Sequence, residues 1–185
     1  MKKLFLFFAM FMAITVSECY SQSGKSQKRI QRYKQESMVK AYIERMVSDT
    51  TFMISISQGG STAYNSSLGL PGISSYSGYF VKFVKNRFAA YLPYSGARTG
   101  SSLTGGGIDV DVEDYKLLIE RGKKGTSWHI HVECATTKGD HENYIFDIDL
   151  SDKGVASMSV LSSARESVNY LGGIAELSKE DFNVK

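Results

Sequence analysis

From residue 108 to residue 174 the chain repeats one pattern, in which short runs of alternating apolar and polar residues are separated by short connections, three of which contain glycine. In the clearest run, residues 127–135, the even-numbered residues are apolar and the residues between them are His129, His131 and Glu133. Alternation with a period of two places successive side chains on opposite faces of a strand, so each run predicts a half-buried β-strand. The turns are too short for a crossover connection and therefore predict antiparallel pairing.

The chain as a whole predicts a mainly β fold with one N-terminal amphipathic helix. We expect an antiparallel meander of about eight to nine strands that forms a curled sheet or a small barrel, and a sandwich stays open as a third arrangement. A barrel would leave no exposed sheet edge. One hairpin is predicted to turn at Lys85 and Asn86. The predicted strands are 51–57, 77–85, 87–93, 108–112, 114–121, 127–135, 143–150, 155–161 and 167–174, with a weaker one at 66–70.

Before the first strand the apolar residues follow helical spacing. Val39, Tyr42, Ile43 and Met46 lie three or four residues apart and so share one face of a helix. The opposite face is charged. We therefore predict a helix over residues 27–47 whose apolar face packs against the sheet.

The N-terminus has the organisation of a secretory signal peptide. Lys2 and Lys3 make the start positive, and an apolar run follows from Leu4 to Val16. This run is shorter than the ~20 residues that a membrane-spanning helix needs. Cleavage before Gln22 would place small residues where signal peptidase requires them, so residues 1–21 are predicted to be a signal peptide. The mature protein is then exported, and is periplasmic or associated with the outer envelope.

The chain contains two cysteines. Cys19 lies near the end of the apolar run, and lipid attachment there stays open as the alternative to simple cleavage. Glu18 disfavours it, because the residue before a lipid-bearing cysteine must be small. Cleavage would leave Cys134 alone, which excludes an internal disulfide. Cys134 lies among apolar residues and is predicted to be a buried, unreactive thiol.

After the leader we predict a basic polar spacer at 22–35, a single β-rich domain with its leading helix at 36–178, and a C-terminal tail at 179–185. Two interpretations of the spacer stay open: a solvated tail, which we favour, and weak contact with a membrane surface. The formal net charge of the chain is +3. A nucleic-acid-binding domain would concentrate positive charge on one face, so no nucleic-acid partner is predicted.

A set of short motifs carries a family resemblance. The motifs are Tyr91-Leu92-Pro93-Tyr94-Ser95-Gly96, Gly105-Gly106-Gly107-Ile108, Asp114-Tyr115, Lys153-Gly154-Val155-Ala156, and Arg165 with Tyr170, Gly172 and Ile174. With them the chain resembles domain-of-unknown-function family 4251, a group of uncharacterised exported proteins of Bacteroidetes, over residues 30–176. The resemblance implies a compact β domain in the cell envelope. It implies no catalytic residues, since the family has no established activity.

One strand carries a candidate metal site. His129 and His131 share a face of that strand, and alternate histidines can bind one zinc ion. Glu133, His141 or Glu142 could supply a third ligand. We favour the alternative, the solvated face of an amphipathic strand, because no second dense cluster of ligands occurs. Neither a metal nor another cofactor is predicted.

Paired carboxylates raise the possibility of hydrolysis. Asp109 and Asp111 share one face of a strand, and so do Asp147 and Asp149. Glycoside hydrolases need two carboxyl groups at a defined separation. The same alternation occurs in any half-exposed strand, and the sequence has no nucleophile elbow or phosphate-binding loop. We predict no catalytic residues and keep a secreted hydrolase as the alternative.

Aromatic residues crowd the predicted hairpin and supply the remaining candidate site. Tyrosines at the mouth of a barrel offer apolar area with a polar tip, which suits a binding surface. Tyr91 and Tyr94 have opposite parity, so both face inward only if Pro93 bends the strand. The predicted ligand-binding residues are Tyr91, Tyr94, Arg98, Arg165 and Tyr170.

These observations predict a non-enzymatic envelope protein that binds a partner. The ligand is either a small molecule, apolar or carbohydrate-like, or another envelope protein. Two alternatives stay open. In the first, the protein has a purely structural role. In the second, which we favour for the aromatic residues, alternate aromatic side chains of the hairpin simply fill the core.

Overall fold

The computed structural model describes residues 27–61, 74–94, 107–136 and 142–177. They form one helix, α1, over residues 27–48, and nine β-strands, so the predicted mainly β fold with an N-terminal helix is confirmed. The part of α1 up to Val39 and the chain from Lys40 onward form separate compact units. The weak strand predicted at 66–70 lies outside the described residues. The strands are β1 (Phe52–Ser61), β2 (Ser74–Val84), β3 (Arg87–Leu92), β4 (Ile108–Val112), β5 (Tyr115–Arg121), β6 (Ser127–Ala135), β7 (Asn143–Ser151), β8 (Val155–Ser162) and β9 (Val168–Ala175).

All nine strands belong to one sheet in the order β4-β3-β2-β1-β9-β8-β7-β6-β5. Its eight pairings are all antiparallel, and because eight is even, β4 and β5 run in the same direction. Only Glu113 and Asp114 separate the end of β4 from the start of β5. So short a link spans at most about 11 Å between Val112 and Tyr115. It brings the two edges of the sheet together, and the sheet is a nearly closed barrel.

Side chains fill the interior of the barrel. The even-numbered residues of β6 are each at most 8% exposed, which confirms the face predicted from the alternation. Phe88 of β3 meets Phe146 of β7 edge to face, with ring centroids 4.9 Å apart. These strands are not neighbours in the sheet, so the contact crosses the interior. The barrel is therefore packed as a core here rather than left hollow.

Strand direction defines two ends of the barrel. At the lower end β1 begins and β5 finishes; at the upper end β3 and β8 finish, and β4 and β7 begin. Residues 40–48 of α1 lead directly into β1 and so cover the lower end. Ile43 and Val47 are buried in the core. Glu44 accepts a hydrogen bond from Arg121, at the end of β5, over 2.6 Å.

The predicted apolar face of α1 is only partly right. Ile43 and Met46 pack against the core, but Val39 and Tyr42 are 41% and 45% exposed. Val47, one turn beyond Ile43, continues the buried face instead. The hydroxyl of Tyr42 donates to Glu176 at 3.5 Å, so its polar tip stays at the surface.

Gly172 sets the close approach of β9 to β1. A Cβ atom at this position would collide with the backbone oxygen of Ser55. The register of β1 also shifts between Ile56 and Gln58, beside this contact. Glycine is needed here because the neighbouring backbone occupies the space of a side chain.

Candidate functional site

The chain places the predicted binding residues on two sides of the barrel wall. Tyr91 is 45% exposed on the outer surface, whereas Tyr94 is 6% exposed and faces inward. Their opposite parity in the sequence is thus matched by opposite orientation. Arg165 and Tyr170 lie on the same side as Tyr94, so three of the five predicted residues come together. Arg98 lies outside the described residues.

The inward group belongs to a set of polar side chains at the upper end. Nε of Arg165 donates to Glu142 at 2.8 Å, and these two side chains are only 9% and 4% exposed. The same carboxylate accepts hydrogen bonds from the hydroxyl of Tyr144 and, at 3.2 Å, from that of Ser162. An isolated buried carboxylate would be very costly, and these three donors compensate for its desolvation. We name Tyr94, Glu142, Tyr144, Ser162, Arg165 and Tyr170 the upper polar cluster.

Arg165 extends this cluster to the ends of neighbouring strands. Its guanidinium lies 5.1 Å from the ring centroid of Tyr94, in cation–π contact. Its Nη1 donates to the backbone oxygen of Gly107 at 3.2 Å, just before β4. Tyr170 of β9 donates through its hydroxyl to the backbone oxygen of Pro93 at 2.6 Å. One buried arginine and one buried tyrosine thus tie β8, β9, β3 and β4 together.

The hydroxyl of Tyr94 has a backbone partner as well. It accepts a hydrogen bond from the backbone N–H of Glu166 at 3.0 Å. Burial raises the pKa of Tyr94, while the hydrogen bond from Glu166 acts in the opposite direction. The side chains of the cluster thus bond to one another and to the backbone at the strand ends, which makes the cluster a cap of the upper end.

The sequence pattern offers Glu142 only as a candidate third metal ligand and does not predict its central place in the cluster. A signal was available. Glu142 stands two residues before Tyr144 and four before Phe146, in phase with the inward-facing side chains of β7. A charged residue at such an inward-facing position requires a buried partner of opposite charge.

Aromatic rings surround the exposed Tyr91 on the β2–β3 hairpin. Tyr91 stacks with ring centroids 5.1 Å apart on Tyr79, which is partly buried and packs against the core. Phe80, on the neighbouring strand, lies 6.3 Å from Tyr91. Nζ of Lys82 is 5.1 Å from the centroid of Phe80. Asp109 of β4 is exposed and directly opposite Tyr91 in the ladder. We name Tyr79, Phe80 and Tyr91 the aromatic patch.

The candidate metal residues form a ladder on the outer face of β6 and β7. Nδ1 of His131 is 2.6 Å from Asp147, and Nδ1 of His129 is 3.0 Å from Asp149. Nε2 of His131 lies 3.4 Å from Glu133. Hydrogen bonds to Asp147 and, less strongly, to Glu133 raise the pKa of His131. No three His, Cys, Asp or Glu side chains within the described residues are arranged to hold a metal ion.

The carboxylates considered for hydrolysis also lie on the outer surface. Asp111 accepts two hydrogen bonds of 2.5 Å from the guanidinium of Arg87, and this pairing raises the pKa of Arg87. Asp109 is exposed. A glycoside hydrolase needs one carboxylic acid whose pKa is raised by its surroundings, whereas Asp111 is paired with a cation.

A concavity of about 400 Å³ opens beside the junction of β4 and β5. Tyr115, Cys134 and Tyr144 are among its lining residues, and Lys116 contacts Glu133 at 2.9 Å on the same wall. Cys134 is nevertheless only 8% exposed, and burial raises the pKa of its thiol to about 12. The predicted buried and unreactive thiol is in agreement with these values.

Comparison with known proteins gives a family and a fold. A family model described as "Domain of unknown function (DUF4251)" matches residues 34–174. The crystal structure of a DUF4251 family protein from Bacteroides eggerthii DSM 20697 is similar, with a TM-score of 0.58 and 12% sequence identity, covering 80% of this chain and 95% of that chain. No significant match is found among curated proteins. No helix in the described residues has the length and apolar character needed to cross a bilayer.

Proposed function

The chain belongs to the DUF4251 family, a domain of unknown function, and from this premise we propose that it is an exported, non-catalytic domain that binds carbohydrate on the outer wall of its barrel. The binding surface is the aromatic patch. The observation that carries the proposal is the ring of Tyr91, which is 45% exposed although it stacks on Tyr79 and lies close to Phe80.

The chemistry of the patch favours a polyhydroxylated ring. One face of a pyranose presents C–H groups and packs on an aromatic ring, while its hydroxyl groups need charged or polar partners at the edge. Asp109 lies opposite Tyr91 and can accept hydrogen bonds, and the ammonium group of Lys82 lies over Phe80. An apolar platform with polar groups at its edge has the combination that a sugar requires.

Other occupants fit the described geometry less well. A small apolar ligand needs an enclosed cavity, whereas core side chains meet across the barrel interior and the side chains of the upper polar cluster already have partners within the protein. A stable protein partner buries about 800 Å² on each side, far more than three rings provide. The predicted binding residues Tyr94, Arg165 and Tyr170 accordingly act in this proposal by holding the upper end of the barrel.

The test compares carbohydrate binding by the wild type and by Tyr91→Ala. Affinity electrophoresis against soluble xylan, mannan, β-glucan and peptidoglycan fragments would reveal retardation of the wild-type protein by at least one of them. Loss of one stacked ring should weaken this binding about fivefold, because aromatic stacking contributes about 1 kcal/mol. Tyr91→Phe keeps the ring and should retain most of the binding.

Leu118→Ala is the matched control, since Leu118 is an equally exposed apolar residue, 53% accessible, on β5. It should bind like the wild type. The thermal unfolding of each variant, followed by circular dichroism, identifies any loss of folding. Retardation by none of the polymers, or retardation unchanged in Tyr91→Ala, would contradict the proposal. Capture of a specific envelope protein through Tyr91 would favour a protein partner instead.

Export is supported by the sequence of the N-terminus. The positive start at Lys2 and Lys3, followed by the apolar run from Leu4 to Val16, is the pattern that the secretion machinery recognises. Mass spectrometry of the protein from fractionated cells should find a chain that begins at Gln22 in the envelope or periplasmic fraction. An intact Met1 in the cytosolic fraction would contradict export, and a diacylated Cys19 would favour a lipoprotein.

A further inference from the structure

The first part of α1 concentrates positive charge on an exposed helix. Every residue from 27 to 39 is exposed. This segment contains four basic residues and one acidic residue, Glu36, so its net charge is 4 − 1 = +3, as large as that of the entire chain. We name residues 27–39 the basic segment. Its basic residues are Lys28, Arg29, Arg32 and Lys34.

The basic segment also exposes apolar side chains among its cations. Ile30 is 53% exposed and Tyr33 is 74% exposed. They are three residues apart and share one side of the helix. Arg29 lies one turn before Tyr33, and Lys34 lies one turn after Ile30, so cations flank the apolar pair. Apolar side chains between flanking cations are the arrangement of helices that lie in a membrane interface.

We propose that the basic segment docks on the surface of a lipid bilayer that carries anionic headgroups. The negative charge of such a membrane surface is diffuse, so binding requires no shape complementarity. Cations on several sides of the helix are attracted to it. Ile30 and Tyr33 enter the boundary between headgroups and acyl chains, where an isoleucine is desolvated and a tyrosine keeps its hydroxyl in water. The aromatic patch has no part in this contact, so the inference stands independently of carbohydrate binding.

The attraction is expected to be moderate and sensitive to salt. Each basic residue near an anionic membrane strengthens binding about fivefold. Two exposed apolar side chains add a smaller and salt-independent contribution. At roughly 0.5 M salt the screening length falls to about 4 Å, and the electrostatic part of the binding should largely disappear.

The test measures flotation of the purified, processed protein with lipid vesicles. Vesicles of phosphatidylglycerol and phosphatidylcholine should carry the protein at low salt, whereas vesicles of phosphatidylcholine alone should not. A quadruple variant of the basic segment replaces its four cations by glutamine, which keeps helix propensity. It should bind at least about a hundredfold less tightly, because four contributions of about fivefold each are lost. The variant is K28Q/R29Q/R32Q/K34Q.

A control variant removes four exposed lysines from turns of the barrel and changes the net charge by the same amount. It should bind the anionic vesicles like the wild type. Replacing Ile30 and Tyr33 by serine should weaken binding severalfold and leave its dependence on salt unchanged. The control is K85Q/K123Q/K124Q/K153Q.

Three outcomes would overturn the proposal. Equal loss of vesicle binding in both quadruple variants would mean that the effect depends on total charge alone. Binding that resists salt and survives in K28Q/R29Q/R32Q/K34Q would place the attachment in a retained leader or a lipid anchor. If soluble polyglutamate at the same charge concentration competed as well as free anionic vesicles, the target would be an acidic polymer rather than a membrane.

Discussion

At the scale of single residues, the pair formed by Glu142 and Arg165 dominates the polar interior. Its carboxylate and guanidinium are 2.8 Å apart and nearly fully buried. Such a pair gives little net stability relative to an apolar replacement, because both charges lose their hydration. Removing one partner is different, since the other is left as an uncompensated buried charge.

Arg165→Met is therefore expected to lower the free energy of unfolding by about 3 kcal/mol. Urea denaturation followed by the fluorescence of Trp128, the single tryptophan, measures it. Arg45→Met is the matched control, because the ion pair of Arg45 with Asp49 is exposed and should change the stability by less than about 1 kcal/mol. The double variant E142Q/R165M should recover part of the loss. Equal effects of the two single arginine variants would contradict this account.

The orientation of individual residues was predictable where parity decides it. Tyr91 and Tyr94 were expected on opposite sides of an extended strand, and they are. The partnership of Arg165 with Glu142 was not predictable. These residues are 23 positions apart and meet only because β7 and β8 pair with each other and leave both residues at the upper end.

At the scale of strands, the ladder on β6 and β7 couples stability to pH. His131 faces Asp147 across the ladder and Glu133 along its own strand, and Asp147 also lies 4.0 Å from Nε2 of His129. The pKa of His131 is raised in the folded protein, chiefly by its hydrogen bond to Asp147. The protonated form thus stabilises the fold. Its contribution is complete below the unfolded pKa of about 6.5 and is lost as the pH rises through the higher folded value.

We expect Asp147→Asn to be most destabilising at about pH 6 and less so at about pH 9. The measurement is the difference in unfolding free energy between the variant and the wild type at each pH, from urea denaturation. Asp152→Asn removes a carboxylate from the β7–β8 turn, outside the ladder, and its effect should not change over this range. A larger effect of Asp147→Asn at high pH would have the wrong sign for a raised histidine pKa.

Local alternation predicted the positions of the strands. The clearest difference between a predicted and an observed strand is in β1. The sequence predicted a strand at 51–57, because the glycines after it favour a loop. In the structure β1 continues to Ser61, paired with β2 as far as Gly59 and with β9 to its end. Gly59 lies directly against the ring of Tyr170, where a side chain would collide. Pairing on both sides outweighs the low strand propensity of glycine, and no local pattern reveals that.

At the scale of the whole molecule, closure of the sheet depends on its order. A meander was predicted, and it holds within β1–β4 and within β5–β9. The pairing of β1 with β9 joins the two meanders, and the short link after Val112 brings their free edges together. The sequence left a curled sheet, a barrel and a sandwich open because alternation identifies faces but not which strands pair.

The junction of β4 and β5 is thus the place where the two edges of the sheet could separate while the rest of the barrel stays folded. Cys134 lines the concavity at this junction, so the reactivity of its thiol reports on such opening. With its pKa near 12, the thiol should react with a disulfide reagent at about pH 8 roughly a thousandfold more slowly than a free cysteine, because its thiolate is that much rarer. If the barrel unfolds as one unit, the urea dependence of labelling should coincide with the loss of Trp128 packing. Cys134→Ser provides the background, since Cys134 is the one cysteine that follows the predicted cleavage site. Labelling of Cys134 at urea concentrations that leave Trp128 buried would mean that the two edges part before the core does, and that the link between β4 and β5 holds them together only loosely.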